Sequence, residues 1–158
     1  MTVVSNTTPI IALSSIDKLD LLHELFGEII VPEAVYFEIK AKKSFGYSEI
    51  ESPFIKVKAV KGEIYKDLLL TQLDPGEAEV ILLAKELKAQ TVIIDESLGY
   101  RIARNSGLHV VRTLSLLLKA KEKGMILQVK PLLDEMINKG LWFSDKVYKL
   151  FLTKAGEM

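Results

Sequence analysis

Residues 74–97, Asp-Pro-Gly-Glu-Ala-Glu-Val-Ile-Leu-Leu-Ala-Lys-Glu-Leu-Lys-Ala-Gln-Thr-Val-Ile-Ile-Asp-Glu-Ser, constrain the fold more than any other stretch. Asp74 can accept from free backbone N–H groups, and Pro75 suits the first helical position, where a missing donor costs nothing. Ala78 to Leu87 is then apolar at most positions, so this helix must be covered on more than one face. Lys88-Ala89-Gln90 interrupts the run. Thr91 to Ile94 is a short β-branched stretch of the kind that forms a buried parallel strand, and it runs straight into Asp95-Glu96. A helix starting near Glu77 and a strand ending at Asp95 can gather acids at one sheet edge, and open α/β sheets bind ligands at the carboxyl ends of their strands.

The rest of the chain repeats this alternation. Val3-Val4-Ser5 is a brief strand stopping at Asn6, and Thr8 before Pro9 is expected to cap the next helix. Asp17 is expected to cap a short helix closed by Gly27, and Glu28 to Val31 is the second strand. Pro32 opens a helix in which Val31, Val35 and Ile39 recur every four residues, and Glu38 borders that apolar stripe. Residues 41–53 read as a loop. Ile55 to Val60 alternates apolar and basic residues as an edge strand does. A helix from about Glu63 to Gln72, another from Leu98 to Asn105, a strand at Val110-Val111 and a helix from Leu114 to Lys123 follow. Residues 128–158 read as a helical extension broken at Lys139-Gly140, with Trp142 and Phe143 at the joint. The fold class is therefore α/β: one domain over residues 1–158, a parallel sheet of about five strands, and added C-terminal helices.

Charge and cysteine content narrow the function classes. The 21 basic and 21 acidic side chains cancel, so any polyanion must be held by a local patch. Without cysteine there is no disulfide and no thiolate metal site, and two histidines are too few for a histidine-rich one. No apolar run reaches membrane-spanning length and no leader pattern opens the chain, so a cytoplasmic protein with no membrane partner is expected.

Four segments in order, Val-Val-Ser-Asn-Thr-Thr-Pro-Ile, Val-Pro-Glu-Ala-Val-Tyr-Phe-Glu-Ile, Pro-Gly-Glu-Ala-Glu and Val-Ile-Ile-Asp-Glu, resemble the PIN-domain family over nearly the whole chain. The resemblance implies a three-layer α/β/α fold with sheet order 3-2-1-4-5 and acids in a cleft at the strands' carboxyl ends. It also implies Mg²⁺- or Mn²⁺-dependent cleavage of RNA, and often service as the toxin of a toxin–antitoxin pair. The family's four acids fall on Asn6, Glu38, Glu77 and Asp95. Thr8 matches a hydroxyl beside the first of them, and Glu96 an auxiliary acid. Asn6 breaks the pattern, because an amide offers a carbonyl oxygen and no charge. The site is then either a weakened ribonuclease centre or the remnant of one in an RNA- or protein-binding module. No Gly-rich phosphate loop supports a small-molecule phosphatase-like hydrolase instead.

The chemistry asks for such acids, since hydrolysing a phosphodiester builds negative charge that hard divalent cations held by oxygen ligands can offset. Each acid also has a structural alternative. Asp74 to Glu77 has capping-box spacing, Asp95 could cap the helix beginning near Ser97, and Glu38 could be a solvated helix-face residue. The crossover adds a difficulty: read simply, it puts Glu77 and Asp95 at opposite edges of the sheet, to meet only if the helix crosses obliquely or if Glu77 enters near the sheet's middle from a preceding helix. Arg101, Arg104 and Arg112 are candidates for gripping phosphate, and Tyr36, Phe37 and Tyr100 for stacking bases. The expected partners are RNA, an antitoxin protein and a second copy of the chain, since the helices are rich in leucine and isoleucine.

Overall fold

The computed structural model of the protein describes residues 1–62 and 64–158. Its elements are β1 (Val3–Ser5), α1 (Thr7–Ser15), α2 (Asp20–Phe26), β2 (Ile29–Pro32), α3 (Glu33–Lys40), β3 (Ile55–Lys58), α4 (Ile64–Leu69) and α5 (Pro75–Leu87). They continue with β4 (Thr91–Ile93), α6 (Ser97–Asn105), β5 (Val110–Val111), α7 (Thr113–Glu122), α8 (Lys130–Asn138) and α9 (Asp145–Lys154). The five strands form one sheet in the order β3-β2-β1-β4-β5, every pair parallel, with helices on both faces in a three-layer α/β/α arrangement.

The central strands are buried at every position, as their Val- and Ile-rich sequences require. In β3 only Ile55 is buried and Lys56 to Lys58 are exposed, so this edge strand is wetter than its alternation implies. Helix α5 is the best-covered helix, buried continuously from Gly76 to Ala84. It ends where Lys88 turns left-handed at φ 53° and redirects the chain into β4. One continuous core runs from Val3 in β1 to Leu152 in α9, so the C-terminal pair packs onto the main body.

Two helix starts differ from the sequence reading, and a third falls at the edge of the described residues. Helix α1 begins at Thr7, so Thr8 lies inside its first turn, and Pro9 is tolerated there because first-turn N–H groups have no intrahelical acceptor. Asp17 does not cap α2, which starts at Asp20; it occupies a left-handed turn at φ 56°, a conformation aspartate tolerates. The helix expected from about Glu63 is α4 from Ile64, and Glu63 lies outside the described residues. The loop over residues 41–53 contains a single 3-10 turn, Glu49–Glu51.

Candidate active site

Strands β1 and β4 are neighbours, with Ser5 in register with Ile93, so Asn6 and residues 94–96 leave the sheet side by side. The Asn6 amide N–H donates to the Ile93 carbonyl at 2.9 Å and extends the ladder by one bond. The first turn of α5 reaches this same edge. Glu77 and Asp95 are therefore at one edge of the sheet, not at opposite edges. A helix packed antiparallel to the strand it feeds starts at that strand's carboxyl end, and no oblique crossing is needed.

Glu96 is the acid at the centre. It occupies the position before α6, yet its carboxylate does not cap that helix. Its Oε2 instead accepts from Asn6 Nδ2 at 3.1 Å, and its Oε1 from Thr8 Oγ1 at 2.5 Å. Asn6 is only 3% exposed, so it is more than a turn residue: its amide ties β1 to the loop after β4, ninety positions on.

Glu77 has two roles at once. It completes a capping box with Asp74, whose Oδ1 accepts from Glu77 N–H at 2.8 Å while the Asp74 N–H donates to Glu77 Oε1 at 3.3 Å. Its other oxygen, Oε2, lies where a side chain on residue 99 would be. A Cβ placed on Gly99 would stand 2.7 Å from that oxygen, so the glycine makes room for the carboxylate. On the other side of the turn, a Cβ on Gly76 would stand 3.4 Å from Asn6 Oδ1 and 3.5 Å from Asp74 Oδ1. Burial pushes the Glu77 carboxyl up to about 7, and the charges of Asp74 and Glu96 add to the effect.

Asp95 is turned to the other side. Its Oδ1 accepts from the Thr113 N–H at 2.8 Å and its Oδ2 from the Thr113 hydroxyl at 2.7 Å. It therefore serves the start of α7, not that of the helix at Ser97, because β5 delivers Thr113 beside the end of β4. Burial raises the Asp95 carboxyl above its ordinary value, and the two Thr113 hydrogen bonds only partly offset this. Glu38 is exposed on the last turn of α3, on the helix face of Ala34 and Val35. That face meets α5: Val35 lies 3.5 Å from the Gly76 Cβ position, and Ala34 N–H donates to Glu79 at 3.1 Å. Glu79, which sequence reasoning passed over, is buried and pairs with Lys66 at 2.8 Å, holding α3, α4 and α5 together.

Two clefts open at this edge. The first, about 570 Å³, has Thr8, Asp95, Glu96, Arg112 and Thr113 on one side. Its other wall comes from the C-terminal extension: Leu141, Trp142, Phe143, Val147 and Phe151. The second, about 480 Å³, is lined by Ser97, Tyr100, Arg101, Arg104, Asn105 and Arg112. Ser97 and Arg112 line both. The Arg112 guanidinium sits 4.3 Å from the centre of the Tyr100 ring, so that ring face is already covered. Tyr36 donates to Glu51 and packs edge-on against Phe37; neither lines either cleft.

The donors at this edge suit a hard divalent cation in kind. All are oxygens, and the Asp74 and Glu96 carboxylates beside Glu77 give the cluster negative charge that a cation would offset. They do not close around one point: among the described residues no three His, Cys, Asp or Glu side chains form a group that could hold a metal ion. Among the described residues, no helix is long and apolar enough to cross a membrane. A family model described as a PIN domain matches residues 2–157. No curated protein and no solved structure matches the chain.

Proposed function

The chain belongs to the PIN-domain family, a nuclease-type family that generally uses divalent metals, and on that premise we propose that it is a metal-dependent endoribonuclease with a weakened site. One observation carries the reading: Glu77, Glu96 and Asn6 meet at the carboxyl edge of the sheet, beside a cleft lined by three arginines. Mg²⁺ or Mn²⁺ would be held by Glu77 and the Asn6 carbonyl oxygen, with Asp95 joining only by giving up its Thr113 hydrogen bonds and Glu38 only by turning in from its exposed place on α3. When bound, such an ion supplies positive charge against the phosphodiester's developing negative charge. Arg112, Arg101 and Arg104 hold the backbone phosphates, and Glu96, fixed by Asn6 and Thr8, orients groups at the centre. The protein acts in the cytoplasm, as the toxin of a pair with an antitoxin protein, and associates with a second copy through exposed apolar residues such as Phe37 and Leu127.

A second reading is favoured by a specific observation. Both Glu96 oxygens already have protein donors and both Asp95 oxygens are taken by Thr113, so the cluster is largely satisfied without a metal. On that reading the chain is a catalytically impaired PIN-like module that binds RNA or a protein. Purified protein is incubated with a structured RNA in Mn²⁺, in Mg²⁺ and in EDTA, beside Glu77→Gln. Cleavage that needs the metal and is lost in the variant supports the nuclease. RNA retained on the protein but left intact in every condition supports the module.

A further inference from the structure

The chain's only tryptophan stands at the mouth of the acid cleft, 83% exposed. It does not hang on a loose loop. Leu141 N–H donates to the Met136 carbonyl at 3.1 Å on one side. On the other side, Ser144 Oγ accepts from Val147 N–H at 3.1 Å and caps α9. The turn between α8 and α9 is therefore fixed from both ends, and it presents the indole to solvent. An indole so exposed is hydrated at a cost that a stacking partner would remove.

The wall facing Trp142 narrows what that partner can be. Across the cleft Asp95 and Glu96 outnumber Arg112, which lies where this cleft meets the next, so a nucleotide entering here places its base, not its phosphate, between the indole and the acids. Carboxylate oxygens retain acceptor capacity for the exocyclic N–H groups of a base. Phosphates need positive charge, and the adjoining cleft supplies it through Arg101, Arg104 and Arg112. Because Arg112 lines both clefts, base site and phosphate site are continuous. A duplex would keep its base faces stacked internally, out of reach of Trp142.

We propose that the C-terminal helical pair forms the base-binding wall of the site, with Trp142 stacking a base of single-stranded nucleic acid whose phosphates run along Arg112, Arg104 and Arg101. The proposal rests on the RNA-directed reading of this site, and its test separates the two. As the sole tryptophan, Trp142 reports its own environment by fluorescence. The full chain is titrated at fixed low salt, in EDTA, with eight-nucleotide single-stranded RNA and with an RNA duplex of equal length. Cleavage of the same single strand in Mn²⁺ is scored in parallel.

Saturable quenching by the single strand and much weaker quenching by the duplex is the expected result. Trp142→Ala should weaken single-strand affinity, followed by labelled RNA, about 5- to 150-fold, the range for losing one stacked base. Trp142→Phe should keep most of it. The indole is exposed, so Trp142→Ala should melt within a few degrees of the parent, which shows that the loss is not unfolding. An affinity for Trp142→Ala within twofold of the parent, or absence of quenching, overturns the proposal even if RNA is cleaved, and points to a protein segment on this wall. Quenching and loss of affinity without any cleavage uphold the base-binding wall and sink the nuclease.

Discussion

Asn6→Asp restores the acid that the family pattern expects, and the structure says what that must do. The new carboxylate would stand about where Asn6 Nδ2 now donates to Glu96, 3.1 Å away, in place of a donor. Two unit charges at that distance repel by roughly 5 kcal/mol at an effective dielectric constant near 20. Rotation and the partly exposed position of Glu96 relieve part of this, so a loss of about 2–4 kcal/mol at pH 8 is expected, or a melting point roughly 5–15 °C lower. The pH dependence has a definite sign. The introduced acid has a folded pKa above its unfolded value, so the folded state binds the extra proton and stability falls as pH rises through that window. The variant should therefore approach the parent near pH 4 and diverge from it toward pH 8. Mn²⁺ should recover more stability in the variant than in the parent, because it offsets the added repulsion. Thermal melts at pH 4 and pH 8, with and without Mn²⁺, measure all of this. Equal melting points at pH 8 in EDTA would refute the geometry from which the repulsion is derived.

Glu77→Gln keeps the capping box, since glutamine serves at that position, and removes a carboxyl pushed up to about 7, which is charged only above that pH. Folding of the parent should lose stability, on the order of 1–2 kcal/mol after allowing for solvent screening, as pH rises from 4.5 to 7, and denaturant titrations should show a smaller loss in the variant, where the raised Asp95 carboxyl still contributes. Asp95→Ala leaves the Thr113 N–H and hydroxyl without their acceptor and should cost about 2–4 kcal/mol, whereas Asp95→Asn should cost about 1 kcal/mol. Asparagine is therefore the variant in which RNA cleavage can be compared without confusion from unfolding. Gly99→Ala should displace the Glu77 carboxylate, which the new Cβ would meet at 2.7 Å. The expected result is cleavage reduced at least tenfold with the melting point lowered by only a few degrees, since the Glu77 tip can swing away while the buried Ile94 methyl, 3.2 Å from the new Cβ, must give slightly; unchanged cleavage would place Glu77 outside the chemistry.

The sheet was legible because each strand carries its own signature and each helix between strands forces a parallel crossover. The capping box at Asp74 and Glu77 was legible for the same local reason. What escaped the sequence were contacts made across register. That Glu96 accepts from Asn6 and Thr8, or that Asp95 turns to Thr113, follows from which strands are neighbours and how far each side chain reaches. No local pattern encodes either. Trp142 and Phe143 could be seen at the joint of the last two helices, but nothing in their spacing tells that this joint folds back against the start of α1 and the end of β4. The direction of α5, by contrast, is contained in the topology, since a crossover helix runs antiparallel to the strand it feeds.

The strand order has a consequence for a chain emerging from the ribosome. Strand β1 pairs with β2 on one side and β4 on the other, and about 35 residues separate the end of β3 from the end of β4. At translation rates of roughly 5–20 residues per second, β1 waits about 2–7 s with one edge unpaired after β3 is complete. An unpaired edge of Val-Val-Ser is a template for joining other chains. Over the same interval Asn6 and Thr8 have no Glu96 to hold. A half-made chain is therefore sticky and without its centre, and both conditions end in one event, when β4 slides in beside β1.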